Sequence, residues 1–126
     1  MNRARLEELE KILGYHFENP ELLEQAVTHI SYANEVLGSA MRGNERLEFL
    51  GDAVLELVSS RWLYDHLAVP EGQLSRTRAA LVCESSLCQV AMDYQLGQFL
   101  RLGKGLEQAG GRTRHAILED MVESIF

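Results

Sequence analysis

Apolar residues recur at helical intervals along almost the whole chain. Leu6, Leu9 and Leu13 fall on one face, and Gly14 stands where that helix would stop. Asn19-Pro20 places proline at the first helical position behind a capping residue, and Leu22, Leu23, Ala26 and Val27 follow as an apolar stripe. Asn44 can cap a long helix over about 45–67, which Val69-Pro70 would end, because the residue before a proline avoids helical geometry. Another helix is predicted from Glu71, and Ser86 with Gln89 has the spacing of a capping box for a helix reaching about Leu96. Residues 103–114 contain four glycines and read as a loop, and a last helix is predicted from His115. Strand-like alternation is nearly absent, so the fold class is all-α.

The long helix carries an unusual mixture of side chains. A helix turns about 100° per residue, so with Glu45 at 0° Glu48 falls near −60° and Asp52 near −20°. The three carboxylates share one narrow stripe. Leu47, Leu50, Val54, Leu57 and Val58 occupy the arc from roughly 120° to 220° and read as the core side, with Leu55 and Phe49 bordering the acids. A helix apolar nearly all round is usually buried, so the acids are expected partly inside. Two carboxylates about 4 Å apart repel by about 4 kcal/mol at an effective dielectric near 20. Proton uptake or a cation relieves that repulsion. No Lys or Arg lies on the stripe, and the spare oxygens suit a hard divalent ion such as Mg²⁺.

The segment ILEDMVESIF, residues 117–126, repeats the arrangement, with Asp120 and Glu123 one turn apart among Ile117, Leu118, Met121, Val122, Ile125 and Phe126. Either pair alone reads equally as a solvated acidic edge. Two such helices face to face would gather four or more carboxylates, as a metal-dependent hydrolase requires. Helical di-iron sites need Glu-x-x-His, yet His16, His29, His66 and His115 are preceded at that spacing by Leu13, Ala26, Leu63 and Arg112. No Cys/His spacing fits zinc.

Composition adjusts this picture. The 126 residues are 46% hydrophobic, enough for one domain with its own core. No run of about 18 apolar residues exists, so no membrane span is expected. The charged start, MNRARLEELEK, lacks the apolar region of a secretory signal, which points to the cytoplasm. Cys83 and Cys88 have neither disulfide-framework nor metal-knuckle spacing and are expected to be buried free thiols. The net charge of −7 opposes a nucleic-acid partner at first sight. The acids, however, concentrate before residue 76 and after residue 114, while Arg76, Arg78, Arg101, Lys104, Arg112 and Arg114 form a basic block between.

The stretch NERLEFLGDAVLEL at 44–57 resembles the signature of the ribonuclease III family, metal-dependent endonucleases that cut double-stranded RNA. THISYANE at 28–35, EGQLSRTRAALV at 71–82, LGKG at 102–105, GGRTRHAIL at 110–118 and EDMVE at 119–123 match further family segments in order. The resemblance implies a metal site of Glu48, Asp52, Asp120 and Glu123, with Glu45 and Glu71 as further catalytic acids beside Asp52 and Glu123. It implies Mg²⁺, with Mn²⁺ able to substitute, and a homodimer in which Phe49 packs into the partner; an ordinary core Phe is the alternative. The products implied are 5′-phosphate and 3′-hydroxyl ends. In that frame Arg76, Arg78, Lys104, Arg112 and Arg114 are candidate RNA contacts in RNA processing. His29 and Ser31 match a family position but read better as helix packing.

Two departures bear on these expectations. The chain stops at Phe126 inside a helical pattern, where the family's nuclease domain continues and bacterial members add a double-stranded-RNA-binding domain. Residues 1–126 are therefore expected to be a nuclease domain, short at its C-terminus and without that second domain. Glu119 stands where the family tends to have a small residue. The rival reading is a non-catalytic RNA-binding or ribosome-associated module, whose mark would be a lost acid; none is lost.

Overall fold

The computed structural model describes residues 1–126 as eight α-helices, with short 3-10 turns and no β-strand. They are α1 (Arg3–Leu13), α2 (Pro20–Ala26), α3 (Ile30–Glu35), α4 (Glu45–His66), α5 (Glu71–Val82), α6 (Glu84–Asp93), α7 (Lys104–Gln108) and α8 (His115–Ile125). The all-α class read from the sequence is the observed one. No helix is long and apolar enough to cross a membrane.

Local signals set several ends. Asn2 Oδ1 accepts the Arg5 N–H at 2.9 Å to start α1, and Gly14 ends it in the left-handed region at φ 69°. Asn19 Oδ1 accepts the Glu21 N–H at 3.1 Å in front of Pro20. The chain leaves α4 at Leu67 in extended geometry, ahead of Pro70.

One helix is unexpected, and three expectations need correction. Helix α3 carries no periodic signal; it forms because His29 Nδ1 accepts the Ser31 N–H at 3.1 Å as an N-cap. Helix α6 starts before the proposed capping box, with Cys83 at its N-cap, and Ser86 Oγ instead donates to the Ala80 carbonyl at 2.6 Å. It ends at Asp93, and Gln95 at φ 54° leads into a 3-10 turn over Leu96–Phe99. Residues 103–114 hold α7 and a 3-10 turn rather than a plain loop, and of the two free thiols only Cys88 is buried.

Helix α8 forms the centre. It buries Ile117, Leu118, Met121 and Val122 and packs against both α4 and α6. Leu9 of α1, Leu23 of α2, Leu87, Cys88 and Ala91 of α6, and Phe99 complete the same cluster. Each fully buried large side chain contributes about 1.5–3 kcal/mol.

Helix α4 packs with the opposite side from the one its composition indicates. Its buried residues are Gly51, Leu55 and Leu63, whereas Leu50, Leu57 and Val58 are exposed and Leu47 and Val54 half-buried. The cause lies at Gly51. A Cβ there would overlap the Glu123 carbonyl, so the absent side chain lets the two helix backbones approach closely. That approach fixes which face of α4 meets α8, and the leucine-rich arc stays uncovered.

Candidate active site

The Gly51 contact sets Glu48 and Asp52 of α4 against Asp120 and Glu123 of α8. The Glu48 and Asp120 carboxyls share a hydrogen bond, and Glu119 shares another with Glu123. Glu123 is 6% exposed; Glu48, Glu119 and Asp120 are half-buried, while Asp52 and Glu45 lie at the exposed rim.

Desolvation is the main cause of the electrostatic state. It pushes the Asp120 carboxyl up to about 7, helped by the Glu48 charge and by donation to Glu48. It pushes Glu123 up to about 8, helped by Glu119, Asp52 and Glu48. Glu48 and Glu119 are raised too, mainly by burial, although the bonds they accept pull the other way. A bond between two carboxyls needs a proton, which each pair shares. None of the chain's ion pairs involves these acids or Glu45.

The donor set fits a hard divalent cation: carboxylate oxygens, partly desolvated, with no basic partner. The acids stand as two hydrogen-bonded pairs, and no three of them are drawn into a single coordination shell. Binding a cation would displace the shared protons.

The other predicted residues divide. Glu45 belongs to the group, since its charge acts on Glu48, Asp120 and His29. Glu71 does not. It opens α5, lines a cleft with Ser60, Arg61 and Tyr64 in the C-terminal half of α4, and accepts the Ser75 hydroxyl at 2.7 Å. Within one chain it stands outside the acid group, and its expected role as a further catalytic acid stays a proposal. Glu84 and Glu119 add to the negative field instead. Glu119 was visible as a family departure; Glu84, on another helix, had no spacing to reveal it.

The basic block splits as well. Arg76, Lys104 and Arg114 are exposed and outside every ion pair. Arg78 pairs with Glu56 at 3.2 Å and donates to Ser60 at 3.0 Å. Arg101 pairs with Glu24 and lies over the Tyr32 ring. Arg112 grips Glu107 and donates to the Gly97 and Leu100 carbonyls, each at 2.8 Å, so its fork is an internal clamp with little left for phosphate. Phe49 is 83% exposed and is no part of this chain's core.

Comparison with known proteins bears on this geometry. A family model described as Ribonuclease-III-like matches residues 19–126. The chain is 51% identical over 119 residues to a Ribonuclease 3 of Listeria innocua, covering 94% of this chain and 52% of that protein. It is 52% identical over 117 residues to a Ribonuclease 3 of Oceanobacillus iheyensis, covering 92% and 51%. The chain thus spans about half the length of the curated relatives it matches. Among solved structures, a nuclease domain of a ribonuclease III from Campylobacter jejuni, described for structural flexibility in a region involved in dimer formation, superposes with a TM-score of 0.84 at 41% identity, covering 95% of this chain and 80% of that one. With the same helical architecture and half its residues shared with these relatives, the chain belongs to the ribonuclease-III-like family.

Proposed function

We propose that residues 1–126 form the nuclease domain of a divalent-metal-dependent endoribonuclease that hydrolyses double-stranded RNA as a homodimer, in cytoplasmic RNA processing. The observation that carries this reading is the meeting of Glu48 and Asp52 with Asp120 and Glu123 across one helix seam, without a basic partner and with all but the rim acid Asp52 partly desolvated. The four carboxylates would hold Mg²⁺, or Mn²⁺ in its place, and the cation when bound would offset the charge of the scissile phosphate and acidify an attacking water. The chain itself gathers the carboxylates, and burial raises their proton affinity, so a bound cation would displace protons shared within the pairs. Glu45 and Asp52, at the rim, are the acids nearest an approaching strand. Hydrolysis would leave 5′-phosphate and 3′-hydroxyl ends.

Arg76, Lys104 and Arg114 are the free cations suited to phosphates and 2′-hydroxyls of an A-form duplex, which is recognised mainly by shape. The open arc of α4, with Phe49, Leu50, Leu57 and Val58, is the surface suited to a second copy.

The test incubates a labelled RNA duplex with the purified chain and with Glu123→Gln, with and without Mg²⁺. Cutting is expected only with metal. The variant should lose more than the roughly 100-fold that loss of an outer-shell partner costs, while binding in Ca²⁺ persists. Equal cleavage by the variant removes Glu123 from the site. Duplex binding by the wild type without cutting under any metal would leave a binding module only.

A further inference from the structure

Asn44 stands at the N-cap of α4 yet makes no side-chain cap. It is only 3% exposed, and its Nδ2 reaches away from the helix to donate to the Ala26 carbonyl at 3.0 Å. Its N–H donates to the Thr28 carbonyl at 2.9 Å. The start of α4 is thereby tied to the end of α2, and Gln25 strengthens the tie by donating to the Gly43 carbonyl at 3.0 Å. An asparagine whose amide leaves its own helix end unserved breaks the local capping rule, and such breaks concentrate at functional sites.

The Asn44 carbonyl is shared across the acid seam. It accepts the Glu48 N–H at 2.8 Å and lies 3.2 Å from the donating Ser124 hydroxyl. Ser124 follows Glu123 directly, and its hydroxyl also lies 2.7 Å from the Asp120 carbonyl, so its single proton is shared between α8 and the first turn of α4. One oxygen thus references the backbone of Glu48 to the turn that carries Asp120 and Glu123. Without this hydroxyl the Asn44 carbonyl would still accept the Glu48 N–H. The Asp120 carbonyl lies within α8, and alanine would sit in the same buried space.

We infer that Asn44 and Ser124 are positioning residues for the acid site, fixing the backbone of the first turn of α4 against the turn of α8 so that their carboxylates can close on a divalent cation. The inference rests on the proposed function. It concerns neighbours of the carboxylates, whose loss typically weakens metal affinity by about 10–100-fold.

The experiment compares wild type, Ser124→Ala, Asn44→Ser and Thr77→Ala. Asn44 makes no side-chain cap, so Asn44→Ser takes no cap away from the start of α4 and removes the reach to Ala26. Thr77→Ala is the control, since it removes a hydroxyl bonded to the Gln73 carbonyl on α5. Mn²⁺ binding is followed by electron paramagnetic resonance without RNA, together with the Mg²⁺ concentration for half-maximal cleavage and the melting temperature in EDTA. For Ser124→Ala the Mn²⁺ Kd and the half-maximal Mg²⁺ should rise about 10-fold, with the rate at saturating Mg²⁺ within about twofold. Its melting temperature should stay within about 3 °C of wild type. Asn44→Ser should lose affinity similarly, and the double variant should lose less than the product of the two, as expected for one shared path. Thr77→Ala should match wild type throughout. Wild-type Mn²⁺ binding together with unchanged isotherms for both single variants overturns the positioning role alone. Absence of Mn²⁺ binding by wild type at millimolar concentration overturns the acid-site reading and this inference together.

Discussion

The two sides of α4 invert the usual rule. The side that packs against α8 carries Glu48, Gly51 and Leu55, with Asp52 at its edge. The side turned to solvent carries Phe49, Leu50, Leu57 and Val58, and Leu57 is 71% exposed. A helix buries the face that allows close approach, and Gly51 supplies that approach on the acidic side. Two costs result: desolvated carboxylates on one side and an apolar surface in water on the other. Under the proposed function, a cation would relieve the first and a second copy would cover the second.

The largest test of this contrast is Gly51→Ala. The new methyl would collide with the Glu123 backbone, which cannot swing aside as a side chain can. Overpacking ordinarily costs about 1–3 kcal/mol, and a backbone collision should exceed that range, visible as a collapse of the chemical-denaturation midpoint. A wild-type midpoint would show that the seam can open freely.

Next comes the opposite face. Leu57→Glu should leave the monomer folded, because Leu57 contributes nothing to this chain's core. It should shift sedimentation from dimer to monomer at micromolar concentration. An unchanged sedimentation profile would assign the apolar arc another role.

A smaller effect distinguishes the acids by pH. Asp120 and Glu123 hold protons to about 7 and about 8 in the folded chain, well above the unfolded carboxyl range near 4. The folded state therefore binds these protons more tightly, and the stability they contribute is complete below about pH 4 and lost as pH rises through 7 and 8. Glu48 and Glu119 shift in the same direction. In EDTA the melting temperature should fall between pH 5 and 9, and Mg²⁺ should restore more of it at pH 9 than at pH 5. A flat profile in EDTA would mean that the seam is better solvated than its burial indicates.

The smallest contrast lies in the basic block. Arg112→Ala should lower stability by about 1.5–3 kcal/mol through loss of charge-assisted bonds to Glu107 and two carbonyls. Arg114→Ala should leave stability unchanged and reduce the salt slope of duplex binding by about one. If both variants changed only RNA binding, the Arg112 clamp would be dispensable to the fold.

Much of this was legible along the chain. Asn19-Pro20, Gly14 and Val69-Pro70 mark helix ends because caps and breakers act on their immediate neighbours. The two acid pairs were legible because one-turn spacing places them on a shared face. Helix α3 was not, since its cap is a histidine ring, and α7 was masked by glycines that a short, tertiary-held turn tolerates.

By itself the sequence determined the helical class, most helix limits and the two carboxylate pairs, because these depend on residues within a turn or two of each other. Only the tertiary structure decided that α4 meets α8 through Gly51, that Glu71 stays apart while Glu84 and Glu119 join the acids, and that Arg112 turns inward. Those outcomes depend on how closely two backbones approach across some seventy residues of chain. Periodicity shows what each face carries, and the closest approach decides which face is used.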